Sequence, residues 1–227
     1  MFNLDWNLAE STDKANLQQF LPLKTYHAPF TVVVEGDTLL ISPTASPIGF
    51  IPDTSLWDEP HMVGIIDEAR EEVSLQFLGY DTRGRDGSEY LALDNALRRA
   101  AARGLNVRLL VSDWEKGTSA EKSLKALTQI PNIEVKFMVI PEWTGGYVSF
   151  ARVQHCKFIV ADASTFWLGT SNAEKGYFYN TRGVGVVVKN TKLAGLVHRI
   201  FTKSWDGKYS EAVKPDVKYE RRKHDGE

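Results

Sequence analysis

Three side chains that can take part in chemistry follow one another at short intervals in the segment 155–162. His155 and Lys157 are two residues apart, so on an extended strand both side chains point to the same face. An ammonium group beside an imidazole makes a poor metal site but a favourable place for a phosphate. The lysine neutralises the anion, and a neutral imidazole can attack phosphorus. The spacing therefore predicts a phosphate-transfer site built on His155 and Lys157, without a metal or another cofactor.

A polar turn follows the next apolar run, with the sequence GTSN over residues 169–172. Serine and asparagine side chains donate hydrogen bonds, and glycine permits a close approach of the backbone to a ligand. We therefore expect Gly169, Ser171 and Asn172 to bind the phosphate. Asp162, counted with the catalytic residues, opens a tight turn between two predicted strands. There it either shapes the turn or supports the catalytic pair from behind.

Apolar periodicity predicts the helices and strands that carry these residues. The predicted helices cover 62–70, 88–104, 119–130 and 193–205, and the predicted strands cover 72–80, 106–114, 132–140, 157–162, 165–170 and 183–189. Residues 31–42 are predicted to form two short strands around a hairpin-like turn at 35–37. Two successive units of a helix followed by a strand favour an α/β sandwich with at least some parallel strands. The stretch 42–60 holds four prolines and no clean period, and is predicted to be a loop.

Composition is that of an ordinary globular protein and narrows the function only slightly. The net charge is −2 and the sequence pI is about 6.2, so any site for a polyanion has to be local. The single cysteine, Cys156, rules out an internal disulfide and a cysteine-rich zinc site, and we expect its side chain to be buried. The N-terminus lacks a signal-peptide pattern and no apolar run suits a membrane span, so the default expectation is a cytoplasmic location.

The pattern of His155, Lys157 and Asp162, followed by GTSN, resembles the HxKxxxxD motif of the phospholipase D superfamily. The runs DNALRRAAARG, NVRLLVSDW, YVSFARVQHCKFIV and FTKSWDGKYS extend the resemblance to the C-terminal half of one branch, which contains the phospholipase D-like 5′-exonucleases. The resemblance implies an α/β(α) sandwich with a central mixed β-sheet flanked by helices. It also implies metal-independent phosphodiester hydrolysis through a phosphohistidine intermediate.

The resemblance divides the chain into three parts. Residues 1–60 form lead-in strands and a loop, residues 61–210 form a catalytic half-domain with a single HxKxxxxD motif, and residues 211–227 form a charged tail that is expected to be disordered. The family's site needs two motifs that face each other. The second motif must therefore come from a homodimer mate or from a separate N-terminal half, and His155 is either the nucleophile or the leaving-group acid.

One departure from the family's pattern concerns the group that orients the catalytic histidine. Many members carry an acidic residue just before the strand equivalent to 183–189, whereas this chain has Asn180 in that neighbourhood. The orienting acceptor is then Asn180, a backbone carbonyl or a carboxylate supplied from elsewhere.

The substrate stays open at this level. Trp114, Trp143 and Tyr177 occupy positions that suit either a rim around the site or the core; a rim would stack on bases or contact acyl chains. The resemblance points to single-stranded nucleic acid ends or to phospholipids. The alternatives are a phospholipase D or transphosphatidylase acting on phospholipids, and a catalytically weak module for dimerisation or scaffolding.

Overall fold

The computed structural model describes residues 2–10, 26–146, 148 and 151–221. The helices are α1 (Phe2–Glu10), α2 (Asp58–Glu68), α3 (Ala92–Ala102), α4 (Ala120–Leu127), α5 (Lys175–Tyr179) and α6 (Thr191–Trp205). The strands are β1 (Phe30–Val34), β2 (Asp37–Ser46), β3 (Glu72–Phe77), β4 (Asn106–Ser112), β5 (Ile133–Met138), β6 (Phe158–Ala161), β7 (Thr165–Gly169), β8 (Gly183–Lys189) and β9 (Ser210–Ala212). None of the helices in the described ranges combines the length and the apolar character that a membrane crossing requires.

All of these strands form one sheet, in the order β1-β2-β8-β7-β6-β3-β4-β5-β9. Strands β3, β4 and β5 are parallel to one another, and every other neighbouring pair is antiparallel. The parallel part follows from two crossover helices, α3 and α4, which return the chain to the same end of the sheet each time. The predicted mixed sheet flanked by helices is confirmed.

Helices cover both faces of the sheet. On one face, α2, α3 and α4 pack over the inward residues of β3, β4 and β5, and an apolar stripe of α3 is buried: Leu93, Ala96, Leu97 and Ala100. On the other face, Phe201 and Trp205 of α6 pack against Leu110 and Phe158. A sheet covered on both sides explains why β4 has an almost continuous apolar sequence.

The proline-rich stretch 42–60 is more regular than a loop, so that prediction is wrong at both ends. Strand β2 continues to Ser46 as an interior strand, with Pro43 opposite Val186 of β8. Its polar Thr44 points inward because its hydroxyl accepts a hydrogen bond from the Trp167 indole, at 3.0 Å. An inward threonine hides the alternation of apolar residues from which a strand is recognised. Helix α2 then begins at Asp58.

The predicted tail begins too early at residue 211. Strand β9 adds to the edge of β5, Val213 is buried, and the Tyr219 ring lies 5.1 Å from the ring of Phe137. Residues 210–219 therefore cover an edge of the sheet that would otherwise expose unpaired backbone groups. Residues 222–227 of the predicted tail lie outside the described residues.

Candidate active site

The two parts of the motif meet at one edge of the sheet. Residues 155–157 lead into β6 and residues 170–172 follow β7, and these two strands are antiparallel neighbours. The Gly169 N–H donates a hydrogen bond to the Lys157 carbonyl oxygen, at 3.2 Å. The end of β3 reaches the same edge because Gln76 pairs with Phe158. The strand register thus gathers the loops after β3 and β7 around the segment before β6.

His155 and Lys157 lie side by side, as their spacing predicts. The Lys157 Nζ is 3.3 Å from the His155 Nε2, and it also donates to the His155 carbonyl oxygen at 3.1 Å. The imidazole is exposed, whereas the lysine side chain is 5% exposed. Partial burial, and then the neighbouring Lys157 charge, lowers the pKa of His155. The ring is therefore neutral at pH 7 and holds a lone pair available for phosphorus.

Burial also lowers the pKa of Lys157, while Cys156 and Glu174 act in the opposite direction. Cys156 itself is exposed, contrary to the expectation of a buried thiol. The expectation was wrong because β6 begins only at Phe158, so the alternation of a strand does not extend back through residues 155–157.

Asn172 lies beneath the site and is 2% exposed. Its side chain hydrogen-bonds with Glu174 and with Tyr177, while its Oδ1 has no partner within the described part of the chain. The segment is fixed because Ala173 bridges to Tyr80, past the end of β3. Asn172 is therefore buried against Glu174 and Tyr177 rather than openly exposed to a phosphate.

Glu174 and Glu115 form a half-buried carboxylate pair that sequence reasoning missed. A Cβ atom at Gly79 would overlap the Glu174 carboxylate and come within 3.0 Å of the Glu115 Oε1, so both carboxylates lie against the same glycine. Burial, and then the charge of Asp81, raises the pKa of Glu174. Burial, and then the charge of Glu174, raises the pKa of Glu115 to about 8. The available signal was that both glutamates follow strands ending at the same sheet edge.

Ser171 is not placed to bind a phosphate. It is fully buried, and its hydroxyl donates to the Asp58 Oδ2 of α2 at 2.9 Å. The exposed hydroxyl of the turn belongs to Thr170, which accepts a hydrogen bond from the Val184 N–H at 3.0 Å. The structure thus contradicts the predicted exposure of Ser171 to a phosphate, and sequence could not reveal this because its partner lies 113 residues away.

Gly169 has a packing role that is independent of any ligand. A Cβ at this position would overlap the indole of Trp167 and approach the Val184 carbonyl oxygen to 2.9 Å. Trp167 is fully buried in the core between the two motif segments. The glycine therefore allows β7 and β8 to close over this indole.

Asp162 lies at the far end of β6 and does not join the His155–Lys157 pair. Five residues separate it from Lys157, which corresponds to about 16 Å along a strand. Its carboxylate accepts three backbone hydrogen bonds, from the N–H groups of Arg70 (2.9 Å), Glu71 (2.9 Å) and Glu72 (3.0 Å). Of the two roles left open for Asp162, the geometry supports the architectural one, in which it ties the β6–β7 turn to the start of β3.

The three predicted rim residues occupy different positions. Trp114 is half-buried in a short turn after β4. Trp143 is 57% exposed in the loop 141–146, and none of the described contacts joins it to His155 or Lys157. Tyr177 is half-buried at the start of a cleft beside the site.

This cleft has a volume of about 340 Å³, and we call it the arginine cleft. Its walls include Arg83, Arg85, Glu174, Lys175, Tyr177 and Asn180. Glu174 joins the cleft to the His155–Lys157 pair, since the same side chain contacts Asn172 and acts electrostatically on Lys157. In the described ranges, no group of three or more His, Cys, Asp and Glu side chains is placed to hold a metal ion.

Comparison with known sequences identifies the family to which this geometry corresponds. Residues 62–205 match the family model described as "Cardiolipin synthase, PLD-like domain". Phospholipase D Z of Dictyostelium discoideum is 31% identical over 174 residues, which cover 74% of this chain and 41% of that protein. The 5'-3' exonuclease PLD4 of Mus musculus is 31% identical over 187 residues, which cover 74% of this chain and 37% of that protein. The chain thus spans about two fifths of the length of these relatives.

Two solved structures have a similar fold at low sequence identity. NucT from Helicobacter pylori superposes with a TM-score of 0.61 and 17% identity, covering 76% of this chain and 99% of that one. The phospholipase D family member Nuc from Salmonella typhimurium gives a TM-score of 0.56 and 20% identity, covering 77% of this chain and 97% of that one. The fold of each of these chains is therefore contained almost entirely within this one.

Proposed function

This chain belongs to the phospholipase D-like family, and we propose that it hydrolyses phosphodiesters, with His155 as a reacting group. The observation that carries the proposal is the contact between a neutral, exposed imidazole and a buried lysine at the edge of the sheet. A lysine in that position neutralises a phosphate oxygen, while the imidazole approaches phosphorus from the same side.

The proposed reaction has two displacements. In the first, the His155 Nε2 lone pair forms a bond to phosphorus, the phosphorus–oxygen bond to the leaving group breaks, and a second histidine gives that oxygen a proton. In the second, water attacks the phosphohistidine and transfers a proton to the second histidine, which releases the phosphomonoester and restores the neutral His155. If the two histidines exchange roles, His155 is the acid and base.

The second histidine has to come from outside this copy of the motif, and we propose a second copy of this chain. The superposition covers 99% of the NucT chain and 97% of the Nuc chain, which supports the view that a unit with a single motif forms a complete fold. An isologous twofold contact would bring His155 of each copy to one shared phosphate. A mass in solution near twice the 25.5 kDa of the chain would support this homodimer.

The activity is tested with bis(p-nitrophenyl) phosphate in excess EDTA, by following the release of p-nitrophenolate. We expect His155→Ala to lower kcat/KM by at least about 10³-fold, since the nucleophile or acid is lost. The matched control is His61→Gln, whose ring contacts only the Ser55 carbonyl oxygen at 2.7 Å in the described residues. Equal rates for the wild type and His155→Ala would instead favour a non-catalytic scaffold.

The shared site is tested by refolding the wild type together with His155→Ala in different ratios. If one phosphate needs both histidines, activity follows the square of the wild-type fraction, and a one-to-one mixture keeps about one quarter of the activity. Independent sites would keep about one half. Hydrolysis of a labelled single-stranded oligonucleotide, measured beside choline release from phosphatidylcholine vesicles, separates the nuclease from the phospholipase.

A further inference from the structure

The arginine cleft contains two arginine side chains that form no salt bridge within the described residues, although the Arg85 charge acts on the Glu174 carboxylate. In the described part of the chain, the guanidinium groups of Arg83 and Arg85 have neither a hydrogen bond nor an ion pair. The third cation, Lys175, is matched by the Asp86 carboxylate at 2.9 Å. The hydrogen bonds that Asp86 accepts from Ser88, and then from Lys175, hold its pKa well below its usual range, so this ion pair persists at neutral pH.

The two arginines are held in an ordered turn. The Gly84 N–H donates to the Ser88 carbonyl oxygen at 2.8 Å, and Arg83 bridges to Glu89 as a short antiparallel pair. The Arg83 N–H also donates to the Asp81 carboxylate at 2.9 Å. A preorganised loop presents its cations without the entropic cost of ordering a mobile segment on binding.

The cleft is continuous with the reacting pair through one side chain. Glu174 is part of its wall, hydrogen-bonds with Asn172 and acts electrostatically on Lys157. Arg85 acts on the same carboxylate from the side of the cleft. Tyr177 adds a half-buried aromatic ring, the kind of surface on which a nucleobase stacks.

From these contacts we infer that the arginine cleft binds a second phosphate, next to the scissile one, in a nucleic-acid strand. This inference rests on the proposed phosphodiesterase function and names its substrate class. Guanidinium groups bind phosphate oxygens through paired hydrogen bonds, and two arginines whose guanidinium groups make no hydrogen bond or salt bridge in the described residues suit a group that carries a full negative charge. Phosphatidylcholine offers only the scissile phosphate and a cationic head group, which two arginines would repel.

The binding test uses thymidine 3′,5′-bisphosphate and thymidine 5′-monophosphate with the whole protein in isothermal titration calorimetry. The wild type is expected to bind the bisphosphate about tenfold more tightly. Arg83→Gln/Arg85→Gln removes that preference, whereas Arg70→Gln, a change at an exposed arginine outside the cleft, keeps it. Thermal melting of each variant confirms that it is folded.

The kinetic test uses the p-nitrophenyl ester of thymidine 5′-phosphate with and without a 3′-phosphate. We expect the ratio of the two kcat/KM values to fall about tenfold in the double variant. A wild type with no preference for the bisphosphate, or a double variant that keeps the preference, overturns the inference. Equal losses on phosphatidylcholine vesicles and on the two esters also overturn it. A retained binding preference without any turnover counts against the proposed function alone, since calorimetry does not depend on catalysis.

Discussion

Replacing Asp162 by asparagine separates architecture from catalysis in the HxKxxxxD motif. In the structure, one carboxylate oxygen of Asp162 accepts the N–H groups of Glu71 and Glu72, and the other accepts that of Arg70. Asparagine keeps one oxygen and presents an NH₂ group where the other oxygen was, so one acceptor is lost and a donor faces a donor. The φ of 51° at this position is tolerated by asparagine as well as by aspartate, so the backbone adds no further cost.

The expected loss in the free energy of unfolding follows from these contacts. A hydrogen bond to a charged group contributes about 1.5–3 kcal/mol and a neutral one about 0.5–1.5 kcal/mol. Because two of the three bonds of Asp162 are exposed, the lower end of these values applies. We expect Asp162→Asn to destabilise the protein by about 1–2 kcal/mol. Asp162→Ala should cost more, because it removes all three acceptors and leaves alanine in a left-handed conformation.

Urea unfolding gives the stability, and hydrolysis of bis(p-nitrophenyl) phosphate per folded molecule gives the activity. We expect kcat/KM of Asp162→Asn to stay within about twofold of the wild type, because the side chain is about 16 Å along the strand from Lys157. The reasoning is refuted if the variant keeps its stability but loses activity by about 100-fold or more. That outcome would place Asp162 in the catalytic machinery after all.

Three further predictions concern carboxylates whose pKa is raised by burial. Burial raises the pKa of Glu115 in the folded state to about 8 from an ordinary 4.5, so the free energy of unfolding falls as pH rises between these values. Glu115→Gln should remove this loss: in urea unfolding we expect the variant to be more stable than the wild type by about 2–4 kcal/mol at pH 9, but not at pH 4. Ser171→Ala removes a donor from Asp58, whose pKa is raised by burial. We expect a loss of about 1–3 kcal/mol that is larger at pH 8 than at pH 4, measured by the same method, with kcat/KM per folded molecule retained. Glu174→Gln removes a charge that raises the pKa of Lys157, so the alkaline limb of the pH profile of kcat/KM should move to lower pH; an unmoved limb would contradict the assigned contact.

The part of the site that sequence could predict is the part set by local geometry. His155 and Lys157 are two residues apart, and their side chains lie 3.3 Å from each other in the segment that leads into β6. The helix–strand alternation likewise predicted that at least some strands are parallel, and these are β3, β4 and β5, because a crossover helix leaves few other topologies.

The part that sequence could not predict depends on contacts between distant segments. Ser171 hydrogen-bonds with Asp58, and Thr44 hydrogen-bonds with Trp167; the partners are more than a hundred residues apart in the sequence in each case. Neither partner can be recognised from the neighbouring residues, so a buried serine was taken for a ligand group. The raised pKa of Glu115 could not be predicted for the same reason. A glutamate after a strand is common, and its neighbour Glu174 comes from a distant segment that lies against the same Gly79.

Because Asn180 carries no charge, the negative charge in this cleft has to come from another residue. The structure places Glu174 in the wall of the same cleft as Asn180, where its charge acts on Lys157. The tautomer of His155 is then set from the other side, because an ammonium proton directed at Nε2 requires a lone pair on that nitrogen and leaves the ring proton on Nδ1. In the proposed mechanism with His155 as nucleophile, a neutral ring with a free Nε2 attacks phosphorus. That mechanism requires the entering phosphate to draw the lysine away from Nε2 before the histidine reacts.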